Sequence, residues 1–161
     1  MKKIFAIFAA VLFCGAMMTS CNKENTTTDS QSFTKADLVG TWEGTYFGTT
    51  QLEGESQNVS YTIGWTLTLN PQGAPTVGSL AYKLNVTGYE EISNTVNVNA
   101  YDVRQNTTSG YISLVAATAA GILDNSIDFS IALNAKSITG TFQVFTSDAP
   151  FLGGETTLHK K

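Results

Sequence analysis

Residues 61–69 read Tyr-Thr-Ile-Gly-Trp-Thr-Leu-Thr-Leu, with large apolar side chains at every second position and small ones between them. A period of two belongs to a β-strand buried on one face, because successive side chains leave the backbone on opposite sides. The same alternation returns at Leu80, Tyr82, Leu84 and Val86, then at Val96, Val98 and Ala100. It returns again at Ile127, Phe129, Ile131 and Leu133, and at Ile138, Gly140, Phe142 and Val144. Strands are therefore predicted near 41–50, 60–69, 79–88, 92–103, 110–118, 126–133, 137–145 and 155–160, eight in all.

The connections support an ordered meander. Asn70-Pro71-Gln72-Gly73 fits a type I turn with Pro at i+1 and Gly at i+3, and Asn134-Ala135-Lys136-Ser137 reads as a hairpin loop. Short loops between consecutive strands favour antiparallel neighbours in chain order. The predicted fold is an all-β, eight-stranded antiparallel up-and-down β-barrel, whose lumen either fills with side chains or holds one small ligand. A two-sheet β-sandwich satisfies the same alternation and stays open as the alternative. The chain of 161 residues, 42% hydrophobic, has enough apolar content for one domain with a real core. Charged residues make up only 14%, and Thr, Ser, Asn and Gly abound, a composition of β-rich exported proteins.

Export is also written at the N-terminus. Lys2 and Lys3 precede the apolar run Ile4–Phe13, which continues weakly to Met18 before Thr19 and Ser20, the layout of a secretory signal over residues 1–20. The 15 residues from Ile4 to Met18 span roughly 22 Å as a helix, short of the ~30 Å hydrocarbon core. Met18-Thr19-Ser20-Cys21 resembles a bacterial lipobox, and the resemblance implies that Cys21 is lipidated and becomes the mature N-terminus. Two or more acyl chains hold a protein stably at a bilayer. Asn22–Ser32 contains no apolar side chain and reads as a flexible linker of about 17–20 Å root-mean-square span, so residues 21–32 form a tether and 33–161 the folded domain. By resemblance to lipoproteins of Gram-negative bacteria, Asn22 after the cysteine favours the outer membrane; the leaflet is left open.

Removing residues 1–20 takes away two lysines and no acid, leaving seven basic residues against 13 acidic ones, a net charge of −6. An acidic body without a Lys/Arg cluster argues against nucleic acid as a partner. Both cysteines, Cys14 and Cys21, precede the domain, so the body offers no disulfide, cysteine nucleophile or cysteine-ligated metal. The single histidine, His159, sits near the C-terminus, and no Gly-x-Ser-x-Gly elbow accompanies the serines. Asp124-Asn125-Ser126-Ile127-Asp128 starts like a calcium loop but has Phe129 at position 6 and Ala135 at position 12, where glycine and glutamate are needed. Glu53 with Glu55, and Glu90 with Glu91, are the carboxylate pairs to weigh for glycoside cleavage, and they read better as solvated loop charge. No catalytic residue, metal ligand or cofactor site is predicted.

The domain begins with Phe33-Thr34-Lys35-Ala36-Asp37-Leu38-Val39-Gly40. Thr34 is placed to cap a short helix with Asp37 at N3, Phe33 and Leu38 are spaced as a hydrophobic staple, and Gly40 stops the turn. Gly40-Thr41-Trp42 follows at the head of the first strand. A short helix feeding Gly-x-Trp resembles the opening of the lipocalins and their calycin relatives. That resemblance implies a barrel floor plugged by the Trp42 indole, with an arginine of the last strand against it. The only arginine, Arg104, lies mid-chain, so either His159, Lys160 or Lys161 substitutes for it or this packing is absent.

Three readings of function follow, of which one, an enzyme without a recognisable signature, has no residue to carry it. In the first, the lumen takes a small apolar or amphipathic ligand among inward residues that include Trp42, Tyr46, Trp65, Leu67, Tyr82, Leu84, Phe129 and Phe142; the same residues would equally serve as plain core. In the second, the barrel or sandwich is fully packed and its surface recognises a glycan or a protein. Tyr101 shares parity with Thr95, Asn97 and Asn99 and is expected to face outward, and Tyr89 neighbours Glu90 and Glu91, so these two tyrosines are the candidate platform.

Overall fold

The computed structural model describes residues 33–105, 108–115, 126–132, 134–144 and 152–161. The signal segment, Cys21, the linker, Asp124, Asn125 and Leu133 lie outside the described residues. A short helix α1 (Lys35–Leu38) precedes eight strands: β1 (Gly40–Gln51), β2 (Asn58–Leu69), β3 (Gly78–Val86), β4 (Ile92–Val103), β5 (Ser109–Leu114), β6 (Ser126–Ala132), β7 (Ser137–Val144) and β8 (Leu152–Lys160). Each strand pairs antiparallel with its neighbours in sequence, and β8 returns to pair with β1 through Trp42↔Lys160 and Glu43↔His159. The sheet is thus a closed up-and-down barrel, and the sandwich alternative falls. Closure leaves no edge strand open to pairing with another chain.

In β2 the alternation is obeyed throughout: Tyr61, Ile63, Trp65, Leu67 and Leu69 are buried and the residues between them are partly exposed. β5 ends at Leu114, short of the predicted residue 118, and β8 begins at Leu152, ahead of the predicted 155. The meander sends the connections after β1, β3, β5 and β7 to one end of the barrel. Those after β2, β4 and β6 share the other end with α1.

That second end is the floor. Asp37 accepts from the Thr34 N–H at 2.8 Å and from its hydroxyl at 2.6 Å, which holds the Asp37 carboxyl below the usual carboxylate range. Four helical residues do not hold together alone, so α1 depends on what it packs against. Leu38 is fully buried, and its carbonyl accepts the Trp42 Nε1–H at 2.8 Å. Lys160 lies over the Trp42 ring with Nζ 5.4 Å from the centroid and donates to the Asp37 carbonyl at 2.7 Å. Of the three C-terminal candidates it is therefore Lys160 that meets the tryptophan; His159 is exposed and Lys161 pairs with Glu43 at 2.9 Å.

Two local predictions need correction. The turn after β2 closes one residue later than predicted, through Ala74 N–H donating to Pro71 O at 3.1 Å. Gly73 therefore occupies the third position with φ +89°, a conformation open to glycine and costly for other residues. Asn70 also bridges the loop, its side-chain amide donating to Thr76 O at 3.0 Å.

The second correction concerns Tyr101. Val98 lies opposite Leu114 while Ala100 lies opposite Ser113, so Asn99 is an extra residue in β4, a β-bulge. Beyond a bulge the parity of the strand inverts. Tyr101 therefore points inward and is 2% exposed, and its hydroxyl donates to Asn70 O at 2.6 Å. Lys35 Nζ stands 4.9 Å from its ring centroid, and burial pushes the phenol above its usual range. It cannot serve as a surface platform, and Tyr89 lies in the β3–β4 connection at the opposite end.

Tyr101→Ala is expected to lower the unfolding free energy by about 3–5 kcal/mol, as large-to-small core changes do. Urea denaturation followed by tryptophan fluorescence reads this directly. A change within about 0.5 kcal/mol, the range for surface positions, would return Tyr101 to the outer face.

Candidate functional site

The eight residues chosen for the lumen all fall on the inner face. Trp42, Trp65, Leu67, Tyr82, Leu84, Phe129 and Phe142 are at most 4% exposed, and Tyr46 is partly buried against the core. They do not form one lining. Trp42 belongs to the floor, while Trp65, Tyr82 and Phe142 make a cluster, with ring centroids 5.8 Å apart for Trp65–Tyr82 and 5.4 Å for Trp65–Phe142. Further from α1, Tyr46 pairs with Tyr61 at 6.1 Å.

A narrow barrel accepts these rings because glycines face them. Tyr61 lies directly opposite Gly48, and a Cβ on that glycine would stand 2.5 Å from the Tyr61 ring. Tyr46 covers Gly154, where a Cβ would meet its ring at 2.9 Å. Phe129 lies between Gly110 and Gly140, and a Cβ on Gly110 would meet the Phe129 ring at 2.6 Å. Large and small residues thus alternate around the inner wall.

The polar atoms inside are mostly matched. Gly153 N–H donates to the Tyr61 hydroxyl at 3.1 Å. Burial raises the Tyr61 phenol above its usual range, the Gly153 bond opposes that, and Tyr46 alongside adds to it. Tyr82 is likewise raised by burial, with a side-chain hydrogen bond from Asn94 acting against the shift. Phenols so placed are neutral at physiological pH. No charged side chain appears among the buried residues described. One atom breaks the pattern: Trp65, 1% exposed, has its indole N–H buried without a hydrogen-bond partner, alone in this among the described side chains.

On the outer wall the sheet carries a depression of about 420 Å³, bordered by Glu43 and Thr45 of β1, Gly64 and Thr66 of β2, and Ala81 and Lys83 of β3. Sequence reasoning marked none of these, nor Tyr61 and Asn94 inside. Strand parity assigns each to its face, but nothing in a single strand tells which small outward residue adjoins which.

The remaining candidates are dispersed. Tyr89 is 54% exposed, and Glu53, Glu55, Glu90 and Glu91 are exposed, with Glu91 3.7 Å from Lys83. Arg104 pairs with Asp128 at 2.6 Å on the surface. Among the described residues no three His, Cys, Asp or Glu side chains converge as a metal site.

Gly48→Ala is expected to destabilise the barrel by about 1–3 kcal/mol, since the added methyl overpacks the Tyr61 ring. Chemical denaturation checks it, and an unchanged midpoint would mean that the inner wall has room to spare. Compared with known proteins, the chain matches no family model and no curated protein.

Proposed function

We propose that this chain is an acyl-anchored outer-membrane lipoprotein whose barrel binds one small neutral molecule in its interior without transforming it. The observation that carries this reading is the unpartnered indole N–H of Trp65. Leaving a buried donor unsatisfied costs about 1–3 kcal/mol, and native interiors rarely tolerate it. A guest carrying a carbonyl, ether or hydroxyl oxygen supplies the missing acceptor. Its remainder is apolar and uncharged, matched to the Phe142 and Tyr82 rings packed against Trp65, with no buried ionic group to offset a charge. Entry is from the end opposite α1, because Trp42 and Lys160 occupy the floor. The tight fit of Tyr61 over Gly48 and Tyr46 over Gly154 keeps the guest small.

The test is an intrinsic-fluorescence titration of the full chain carrying Cys21→Ala, against small apolar ketones, fatty acids, sterol-like compounds and oligosaccharides. A saturable change with an apolar, acceptor-bearing compound is expected, and Trp65→Phe should weaken that affinity about five- to tenfold, the loss of a hydrogen bond worth about 1–1.5 kcal/mol. No saturable response anywhere in the panel would make the interior a filled core. The anchor is tested separately: metabolic labelling with a radioactive fatty acid should mark the wild-type chain and leave Cys21→Ala unlabelled. Label retained by the variant would move the attachment elsewhere.

A further inference from the structure

Glycines on the inner wall have a reason to be glycine, and one on the outer wall does not. At Gly48, Gly110 and Gly154 a side chain would strike a ring packed across the backbone. Gly64, in the middle of β2 between Ile63 and Trp65, lies in the backbone range open to any residue, and a Cβ there would meet nothing within 4 Å. A glycine inside a strand weakens it and commonly marks a place where something approaches the backbone closely. Here it makes the floor of the 420 Å³ depression, with Thr45 opposite it on β1 and Lys83 opposite it on β3.

We infer that this depression is a binding site for a neutral saccharide. The two charges on its border are already engaged, Glu43 with Lys161 at 2.9 Å and Lys83 with Glu91 at 3.7 Å, so they present no net field that would select an ion. What remains is hydroxyl and methyl: Thr45 and Thr66 border the notch and Ala81 its far side, with Thr95 opposite Ala81 and Ser93 opposite Lys83 on β4. Threonine and serine hydroxyls both donate and accept, which matches a polyol in either direction. Two residues beyond Thr45 on the same face, Phe47 is 73% exposed, the most exposed of the large apolar side chains described. Phe47 stands outside the notch itself, one outward position along β1 from Thr45, where an exposed ring fits the apolar face of one sugar while the neighbouring unit sits over Gly64. The volume suits one or two sugar units. Gly44, Trp65 and Tyr82 also line the notch, although Trp65 and Tyr82 are buried toward the interior, and saccharide binding is read separately from binding of an apolar guest inside.

The experiment is calorimetric titration of the full chain, in detergent micelles, with neutral tetrasaccharides of glucose, mannose and xylose and with oligogalacturonate as the acidic control. Saturable binding of at least one neutral tetrasaccharide is expected. Gly64→Gln, which places a side chain in the notch, should weaken it tenfold or more while the melting temperature stays level or rises. Phe47→Ala should weaken it several-fold. The proposal is overturned if no neutral tetrasaccharide binds, if only the acidic oligomer binds, or if binding survives both substitutions. Retention of a protein partner by this face with no saccharide binding overturns it as well.

Discussion

The barrel depends on the place where Trp42 holds three elements at once. Its indole N–H satisfies the Leu38 carbonyl, one of the orphan acceptors at the end of α1, while its ring lies under Lys160 of the last strand. Lys160 in turn donates to the Asp37 carbonyl. The β1–β8 ladder, which turns an open sheet into a barrel, is in register at only two pairs, and Trp42↔Lys160 is one of them. The helix is too short to persist by itself, and the ladder that closes the sheet includes the same ring. Each is held by the same buried ring, so closure and the floor form together.

Once closed, eight strands enclose a narrow interior, and the chain must fit its aromatic residues inside it. It does so by laying rings across glycines on adjacent strands: Tyr61 over Gly48, Tyr46 over Gly154, Phe129 over Gly110. A ring lying along the wall gains contact without reaching across the lumen, and each glycine gives up its own side chain to make that contact possible. This arrangement places a polar tip on the inner face, since Tyr61 and Tyr82 bring hydroxyls inward and find Gly153 and Asn94 as partners. Trp65 brings a donor into the same cluster and finds none. In an interior so closely matched elsewhere, a single unmatched donor is more informative than the many apolar contacts around it.

Much of this was legible in the residues. The period of two assigned the inner and outer faces of β2, β3, β6 and β7 correctly, and the capping pair Thr34 and Asp37 located the short helix, whereas a floor under Trp42 was implied only by a family resemblance. Tyr101 was misassigned because a bulge leaves no mark on the alternation: Val96, Val98 and Ala100 continue the period through Asn99, and only the pairing with β5 shows the extra residue. The turn after β2 was placed one residue early for a similar reason. Proline and glycine are both favoured turn residues, and which positions they take depends on a hydrogen bond between backbone groups, here Ala74 with Pro71. The outer depression was illegible for a third reason: it is made of residues from three strands, each ordinary in its own context.

The inner and outer features meet at adjacent residues of one strand. Gly64 faces out and Trp65 faces in, so a change at either is felt on one side of the sheet. That separation holds only while the register of β2 holds. A slip of one residue would expose Trp65, Leu67 and Tyr61 together and turn Thr62, Thr66 and Thr68 into the core. The pair that forbids the slip is the crowded one: Tyr61 lies opposite Gly48, where any side chain would strike its ring. Packing on the inside thereby decides what the outside presents. Gly64 faces solvent because its neighbours fit nowhere but the interior.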